Sequence, residues 1–132
     1  MTLDGFAAGH APRVLSVLRI MSGLLLLQHG TMKILSFPDG PMAGIGVSSL
    51  GGVAGVFELI GGVLLTIGLF TRPVAFVLSG VLAAAYFIAH AARSFYPINN
   101  GGELAALYCF VFLYLAFAGG GPWSVDAARA KA

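Results

Sequence analysis

Charged side chains are scarce in this sequence. Asp, Glu, Lys and Arg together make up 9% of the residues, whereas soluble proteins carry roughly a quarter. Hydrophobic residues account for 58%. A chain of 132 residues is too small to bury that much apolar surface inside a water-soluble core. The composition therefore excludes an ordinary soluble domain and predicts that the protein lies in a lipid bilayer.

Cysteine and clustered basic residues are also lacking. The single cysteine, Cys109, cannot form an intrachain disulfide or a Cys-x-x-Cys redox pair, so thiol–disulfide exchange within one chain is excluded. Lys and Arg are scattered without the basic run that follows a phosphate backbone, and nucleic acid is not an expected partner. The N-terminus lacks a basic segment, and Arg19 interrupts the first apolar stretch, so we expect no cleaved signal peptide.

Long apolar stretches dominate the rest of the chain. Four of them approach the roughly 20 residues needed to cross a bilayer, at positions 13–36, 50–70, 73–92 and 101–118. Turn sequences rich in Gly, Pro and Asn separate them. Pro12 suits the first turn of a helix, and residues 1–11 are expected to form a short tail. The sequence thus predicts an all-α, integral membrane four-helix bundle with up-down-up-down topology, forming a single domain over residues 1–132.

The second apolar stretch is rich in glycine, and Gly51 and Gly55 have the G-x-x-x-G spacing. Small residues let helices approach closely in lipid, where packing drives their association. We therefore expect this helix to lie at the centre of the bundle.

Basic residues are distributed unevenly over the two sides of such a bundle. Four spans place both termini on one side. That side carries Arg13, Arg72, Arg129 and Lys131, against Lys33 and Arg93 on the other. The positive-inside rule then predicts a bacterial cytoplasmic (inner) membrane protein with both termini in the cytoplasm.

The few polar residues of the spans gather near the outer face. Counting from the helix ends places one layer roughly 5 Å inside and a second roughly 10–12 Å inside. The shallow layer comprises Lys33, His90 and Glu103, and the deeper layer comprises His29, Glu58, Tyr86 and Tyr108. Helical spacing places His29 and Lys33 on one face and Tyr86 and His90 on another. We expect these faces to enclose a protonatable pocket in the outer half of the bundle.

Glu58 is the central residue of this prediction, because an ionised group at that depth needs a partner, a proton or water. His29 is nearest to it by depth, so Glu58 and His29 are predicted as the catalytic, proton-exchanging residues. The predicted substrate-binding residues are Gln28, Lys33, Tyr86, His90, Glu103 and Tyr108. Lys33–Glu103 and His29–Glu58 pairs that merely fix the helix register are the alternative.

Two further expectations concern a metal and Arg19. Two histidines and two carboxylates would suit a first-row metal, and His29 with His90 would suit haem, but neither set has a tight ligand spacing, and no metal is predicted.

Arg19 lies near the cytoplasmic end of its helix. It is expected to be structural or to contact a headgroup, reaching the surface by snorkelling.

Several short motifs resemble those of the DoxX family of small bacterial membrane proteins, which includes DoxD-like subunits. They are Arg19 with Gly-x-x-Lys ending at Lys33, Glu58-x-x-Gly-Gly with Leu65-x-x-Gly-Leu, His90 ending the third span, Asn100, and Gly121-Pro-Trp-Ser-Val-Asp126. The resemblance implies a four-helix membrane bundle and a component of a membrane oxidoreductase system, since DoxD-like proteins are linked to thiosulfate:quinone oxidoreduction. It covers nearly the whole chain.

The implied redox function needs something that this chain does not supply. It has no nucleotide-binding fingerprint, cysteine pair or haem motif, so electron transfer requires a bound quinone or a partner subunit. In the first case the polar layer would meet the quinone headgroup. Whether the protein is itself an enzyme stays open.

Two other functions remain as alternatives. The chain could be a non-catalytic subunit or assembly factor that docks on partner proteins, or on further copies of itself, through its lipid-facing helices. It could also be a small transporter. Four-span exporters usually place their glutamate in the first span and have a weak charge bias, whereas Glu58 lies in the second span and the bias in this chain is clear.

Overall fold

The computed structural model describes residues 1–132 and is entirely helical. Its six α-helices are α1 (Leu3–Leu35), α2 (Leu50–Ile67), α3 (Thr71–Ala85), α4 (Pro97–Asn100), α5 (Glu103–Ala118) and α6 (Val125–Ala130). The third helix continues through a π turn, Tyr86–His90, and a 3-10 turn, Ala91–Arg93. The expected all-α fold is confirmed.

Three of the helices are long and apolar enough to cross a bilayer. They are α1, α2 and the continuous helix Thr71–Arg93. Helix α5 is also apolar, but its 16 residues extend only about 24 Å at the rise of an α-helix. The length and composition of these helices indicate a protein that crosses the membrane several times.

Helix α1 begins at Leu3, so the prediction of a tail over residues 1–11 was wrong. The hydroxyl of Thr2 caps the helix by accepting a hydrogen bond from the backbone N–H of Gly5 at 3.2 Å. Pro12 lies inside the helix and has no N–H to offer the carbonyl one turn earlier. Residues 1–14 are all exposed, and the helix continues through the proline.

The helices pack as two antiparallel pairs, α1 with α2 and α3 with α5, and contacts between α2 and α3 join the pairs. Glycines set the first contact. A Cβ atom at Gly62 would lie 2.8 Å from the Cα atom of Leu27, and one at Gly23 would lie 2.8 Å from the backbone nitrogen of Thr66. On its other side, α2 places Gly61 against Leu78 of α3. Helix α2 therefore contacts both neighbours closely, as its glycine content predicted.

A compact apolar core lies around the contact of α3 with α5. Leu78 and Leu82 of α3 pack with Phe112 and Leu115 of α5, and Leu65 joins them from α2. Within this contact the hydroxyl of Ser79 donates a hydrogen bond to the carbonyl of Cys109 at 2.8 Å. Cys109 is thus part of the packing between two helices.

After α5 the chain folds back over the end of the bundle, and we call residues 119–130 the C-terminal clip. Arg19 of α1 holds it in place. Its guanidinium donates to the carbonyls of Gly120 and Trp123. The backbone N–H of Trp123 donates to the hydroxyl of Ser16 at 3.1 Å. Arg19 is 0% exposed, and the clip supplies carbonyl acceptors for it inside the protein. Of the two roles expected for Arg19, the structural one is therefore confirmed, and a headgroup contact reached by snorkelling was wrong.

The clip also caps α3, whose preceding residue, Phe70, makes no side-chain cap of its own. The two carboxylate oxygens of Asp126 accept hydrogen bonds from the backbone N–H groups of Phe70 and Thr71, each at 2.8 Å. Burial alone would raise the pKa of Asp126, but these hydrogen bonds and the nearby charge of Arg129 outweigh burial and hold that pKa below its ordinary value. The clip therefore joins α1, α5 and the turn between α2 and α3.

Candidate functional site

An ion pair between a half-buried lysine and a buried glutamate connects the first two helices. Glu58 lies in the middle of α2 and is 4% exposed. The ammonium nitrogen of Lys33 lies 2.9 Å from one oxygen of this carboxylate and 2.8 Å from the other. Gly55 makes room for the lysine, because a Cβ atom there would lie 2.9 Å from the Cβ atom of Lys33. The lysine side chain runs along α2 and carries its charge inward.

The structure forms neither of the pairs that the depth count predicted. Glu103 is exposed in the first turn of α5, where the helix dipole favours its charge. His29 makes no hydrogen bond or ion pair with Glu58. The count failed because a lysine side chain spans several ångströms, so Lys33, which begins in the shallow layer, reaches a carboxylate of the deeper one.

Two aromatic side chains extend this site toward α5. The ring of Tyr108 meets that of His29 edge to face, with 6.3 Å between the ring centres. Tyr108 is 6% exposed and stacks on Phe112. It lies close enough to Glu58 for an electrostatic interaction between the two side chains. We call Lys33, Glu58, His29 and Tyr108 the ion-pair group. Side chains of α1, α2 and α5 contribute to it.

A second polar group surrounds Asn100, which is 1% exposed at the end of α4. Its amide nitrogen donates to the hydroxyl of Tyr86 at 3.1 Å and to the carbonyl of Ser94 at 3.0 Å. Its amide oxygen accepts from the N–H of Gly102 at 2.8 Å. Nδ1 of His90 lies 3.1 Å from the backbone carbonyl of Asn100. We call Tyr86, His90 and Asn100 the asparagine group.

Sequence reasoning missed Asn100 as a site residue. A short polar side chain just before a span is typical of a turn, and only its place among the family motifs marked it out. The predicted residues themselves divide. Six of them fall into the two groups, while Gln28 and Glu103 are exposed at the surface and belong to neither.

No hydrogen bond joins the two groups, so the polar residues form two centres rather than one continuous layer. No three His, Cys, Asp or Glu side chains come close enough together to hold a metal ion. The ion-pair group combines an ammonium, a carboxylate, an imidazole and a phenol. These side chains can donate hydrogen bonds to a carbonyl and exchange protons.

Two open grooves lie beside these features. One, of about 390 Å³, runs along α4 and the start of α5 and is lined by Pro97, Ile98, Gly101, Glu103, Leu104 and Leu107. Its residue Gly101 borders the ring of His90, since a Cβ atom there would lie 3.7 Å from Nδ1. The other, of about 460 Å³, lies between the clip and the start of α3. An apolar groove thus adjoins the asparagine group.

Comparison with known proteins identifies a family and a similar sequence. The family model described as DoxX matches residues 14–91. A protein of Haemophilus influenzae, described as an uncharacterized protein, is 45% identical over 122 residues, which cover 89% of this chain and 91% of that protein. No solved structure matches. The family match includes Lys33, Glu58 and the π turn.

Proposed function

This chain belongs to the DoxX family, and from that membership we propose that it is a quinone-binding component of an oxidoreductase system in the bacterial inner membrane. In this proposal α1, α2, the continuous helix Thr71–Arg93 and α5 cross the bilayer in up-down-up-down order. Both termini face the cytoplasm, on the side with more basic residues. The electrons pass to or from a partner subunit, because the chain has no redox centre of its own.

The observation that carries the proposal is the Lys33–Glu58 pair inside the helix bundle. A buried ion pair adds little net stability, because the loss of hydration offsets the attraction. Charged side chains at membrane depth commonly mark ligand or proton pathways. An imidazole, His29, and a phenol, Tyr108, lie in the same group. Such a set is chemically suited to a quinone headgroup.

Each residue of the ion-pair group has a role in this proposal. The Lys33 ammonium and the Tyr108 hydroxyl donate hydrogen bonds to a headgroup carbonyl. Glu58 and His29 exchange the protons that accompany reduction or oxidation. A bound quinone supplies the electron-accepting chemistry. Glu58 and His29 are therefore the proposed catalytic residues.

The experiment measures quinone binding by the full-length protein purified in mild detergent. We expect the wild type to bind a short-chain benzoquinone, and Glu58→Gln and His29→Ala to bind it more weakly. Asp39→Asn changes an exposed loop residue and serves as the control. If both site variants bind the quinone as tightly as the wild type does, the proposal is overturned.

A non-catalytic subunit is the second candidate, because the ion pair is closed. Both oxygens of Glu58 lie within 2.9 Å of the same nitrogen, the geometry expected of a pair that only fixes helix register. In that case protein partners, rather than quinone, should remain bound after gentle extraction from native membranes. Mass spectrometry of the retained lipids and proteins distinguishes the two candidates. Isolation as a lone species without quinone would contradict both.

A further inference from the structure

The hydrogen bonds of Asn100 fix the orientation of its side-chain amide. The N–H of Gly102 can only donate, so it must meet the amide oxygen. The carbonyl of Ser94 can only accept, so it must meet the amide nitrogen. The second N–H of that nitrogen then points at the hydroxyl of Tyr86. Both ends of the amide are determined by backbone groups.

This orientation determines what Tyr86 and His90 can offer to a ligand. The oxygen of Tyr86 accepts from Asn100, and its own O–H has no acceptor among the protein atoms. The backbone carbonyl of Asn100 can only accept, so Nδ1 of His90 must carry a proton. In the neutral imidazole Nε2 is then a bare acceptor. The asparagine group thus presents one free donor and one free acceptor.

We propose that Tyr86 and His90, oriented by Asn100, bind a hydroxyl of the reduced ligand, a quinol, in preference to the carbonyl of the quinone. This inference rests on the proposed function, which gives a headgroup carbonyl to the ion-pair group, and it assigns to the asparagine group the choice between the two redox forms. A quinol hydroxyl donates to Nε2 of His90 and accepts from the hydroxyl of Tyr86. A quinone carbonyl only accepts, so it can satisfy Tyr86 but not His90.

The surroundings of the asparagine group support a ligand at this place. Tyr86 and His90 are the first and last residues of the π turn, a helical irregularity that is frequent at functional sites. Gly102 leaves room for the phenol, since a Cβ atom there would lie 2.7 Å from the ring of Tyr86. Both side chains are partly exposed, and the apolar groove along α4 and α5 begins beside them. That groove suits the apolar part of a quinol.

The experiment compares the dissociation constants of a short-chain benzoquinol and its quinone under anaerobic conditions. The full-length protein is held in phosphatidylcholine nanodiscs, whose headgroup has no competing hydroxyl. We expect the wild type to bind the quinol about fivefold more tightly, the equivalent of one neutral hydrogen bond. Tyr86→Phe should weaken binding of the quinol and of the quinone, each by about fivefold.

A second variant isolates the acceptor. His90→Asn keeps a donor near the position of Nδ1 but has no nitrogen in place of Nε2, so it should weaken binding of the quinol alone and abolish the preference. Tyr96→Phe is the control, because Tyr96 is exposed nearby and its hydroxyl contacts no polar group. Helix content and the melting temperature of each variant show that it is folded.

The outcomes separate this inference from the function on which it rests. Binding of neither form by the wild type overturns both. Binding that Glu58→Gln weakens, with equal affinity for the two forms and no effect of Tyr86→Phe or His90→Asn, overturns only the preference for quinol. Loss of the preference in His90→Asn, together with weaker binding of both forms by Tyr86→Phe, supports Tyr86 as the donor and His90 as the acceptor.

Discussion

At the scale of single residues, the ion pair shows what depth in a membrane can and cannot predict. The sequence singled out Lys33 and Glu58, because charged residues in apolar stretches are few. It could not identify their partners. The reach of the lysine side chain and the space above Gly55 decide the pairing, and neither can be read from positions along the helices.

Removing one charge of the pair should lower the free energy of unfolding strongly, whereas removing both charges together should lower it little. Lys33→Met leaves a buried carboxylate without a partner and is expected to lower the free energy of unfolding by about 3–5 kcal/mol. Adding Glu58→Met should restore most of that loss, because two apolar side chains replace two buried charges. Unfolding by sodium dodecyl sulfate in mixed micelles, followed by circular dichroism, measures both. Lys131→Met, in the exposed C-terminal residues, is the control.

A double variant as unstable as Lys33→Met alone would mean that the two charges do not act as a pair. A Lys33→Met variant as stable as the wild type would also mean that Lys33 does not stabilise the buried carboxylate of Glu58.

At the scale of helices, glycine spacing governs the contact between α1 and α2. Gly23 and Gly30 on α1 face Thr66 and Leu59 of α2, and Gly55 and Gly62 on α2 face Lys33 and Leu27. Each helix repeats its glycine after seven residues, about two turns, so both glycines stay on one face. The sequence predicted a closely packed glycine-rich helix. It could not tell which glycines face which neighbour, since glycine occurs on several faces of α2.

Alanine substitution separates packing glycines from the others. In Gly62→Ala the new methyl group would lie 2.8 Å from the Cα atom of Leu27, and that backbone cannot move aside without separating the helices. We expect a loss of about 1–3 kcal/mol in the free energy of unfolding. Gly80→Ala is the matched control, because nothing lies within 4 Å of its Cβ position. Thermal unfolding of the two variants in detergent makes the comparison; equal melting temperatures would show that Gly62 is not a close contact.

At the scale of the whole molecule, the C-terminal clip joins parts that are distant in the sequence. The acceptors of Arg19 lie 101 and 104 positions further along the chain. The sequence of α1 alone does not show these acceptors, so it left a headgroup contact open beside the structural role that the completed fold gives this arginine. Local periodicity predicted the all-helical fold, but it carries no information about a segment that returns from the other end of the chain.

Acidification should release the clip through Asp126. Its pKa is lower in the folded protein than in the unfolded chain, so the stability it contributes is present above the unfolded value and is lost as pH falls through the folded one. The relevant range lies below about pH 4. The single tryptophan, Trp123, lies in the clip and reports its docking by fluorescence. We expect its emission to shift in that range in the wild type.

Asp126→Asn tests the assignment, because an amide has one acceptor oxygen for two backbone donors. Its tryptophan emission should resemble the acid form already at neutral pH and change little on acidification. Asp39→Asn, in the exposed loop between α1 and α2, should behave as the wild type does. An acid transition that persists unchanged in Asp126→Asn would assign it to another carboxylate.

The length of α1 has a consequence for what lies outside the membrane. Its 33 residues extend about 50 Å, whereas the hydrocarbon core is about 30 Å thick. With Leu35 near one surface, close to 20 Å of this helix extends beyond the hydrocarbon core on the opposite side, as continuous helix and not as irregular chain. A fluorescent reporter attached near Leu3 would therefore keep a fixed height above the bilayer, and energy transfer to a dye in the lipid would read that height directly.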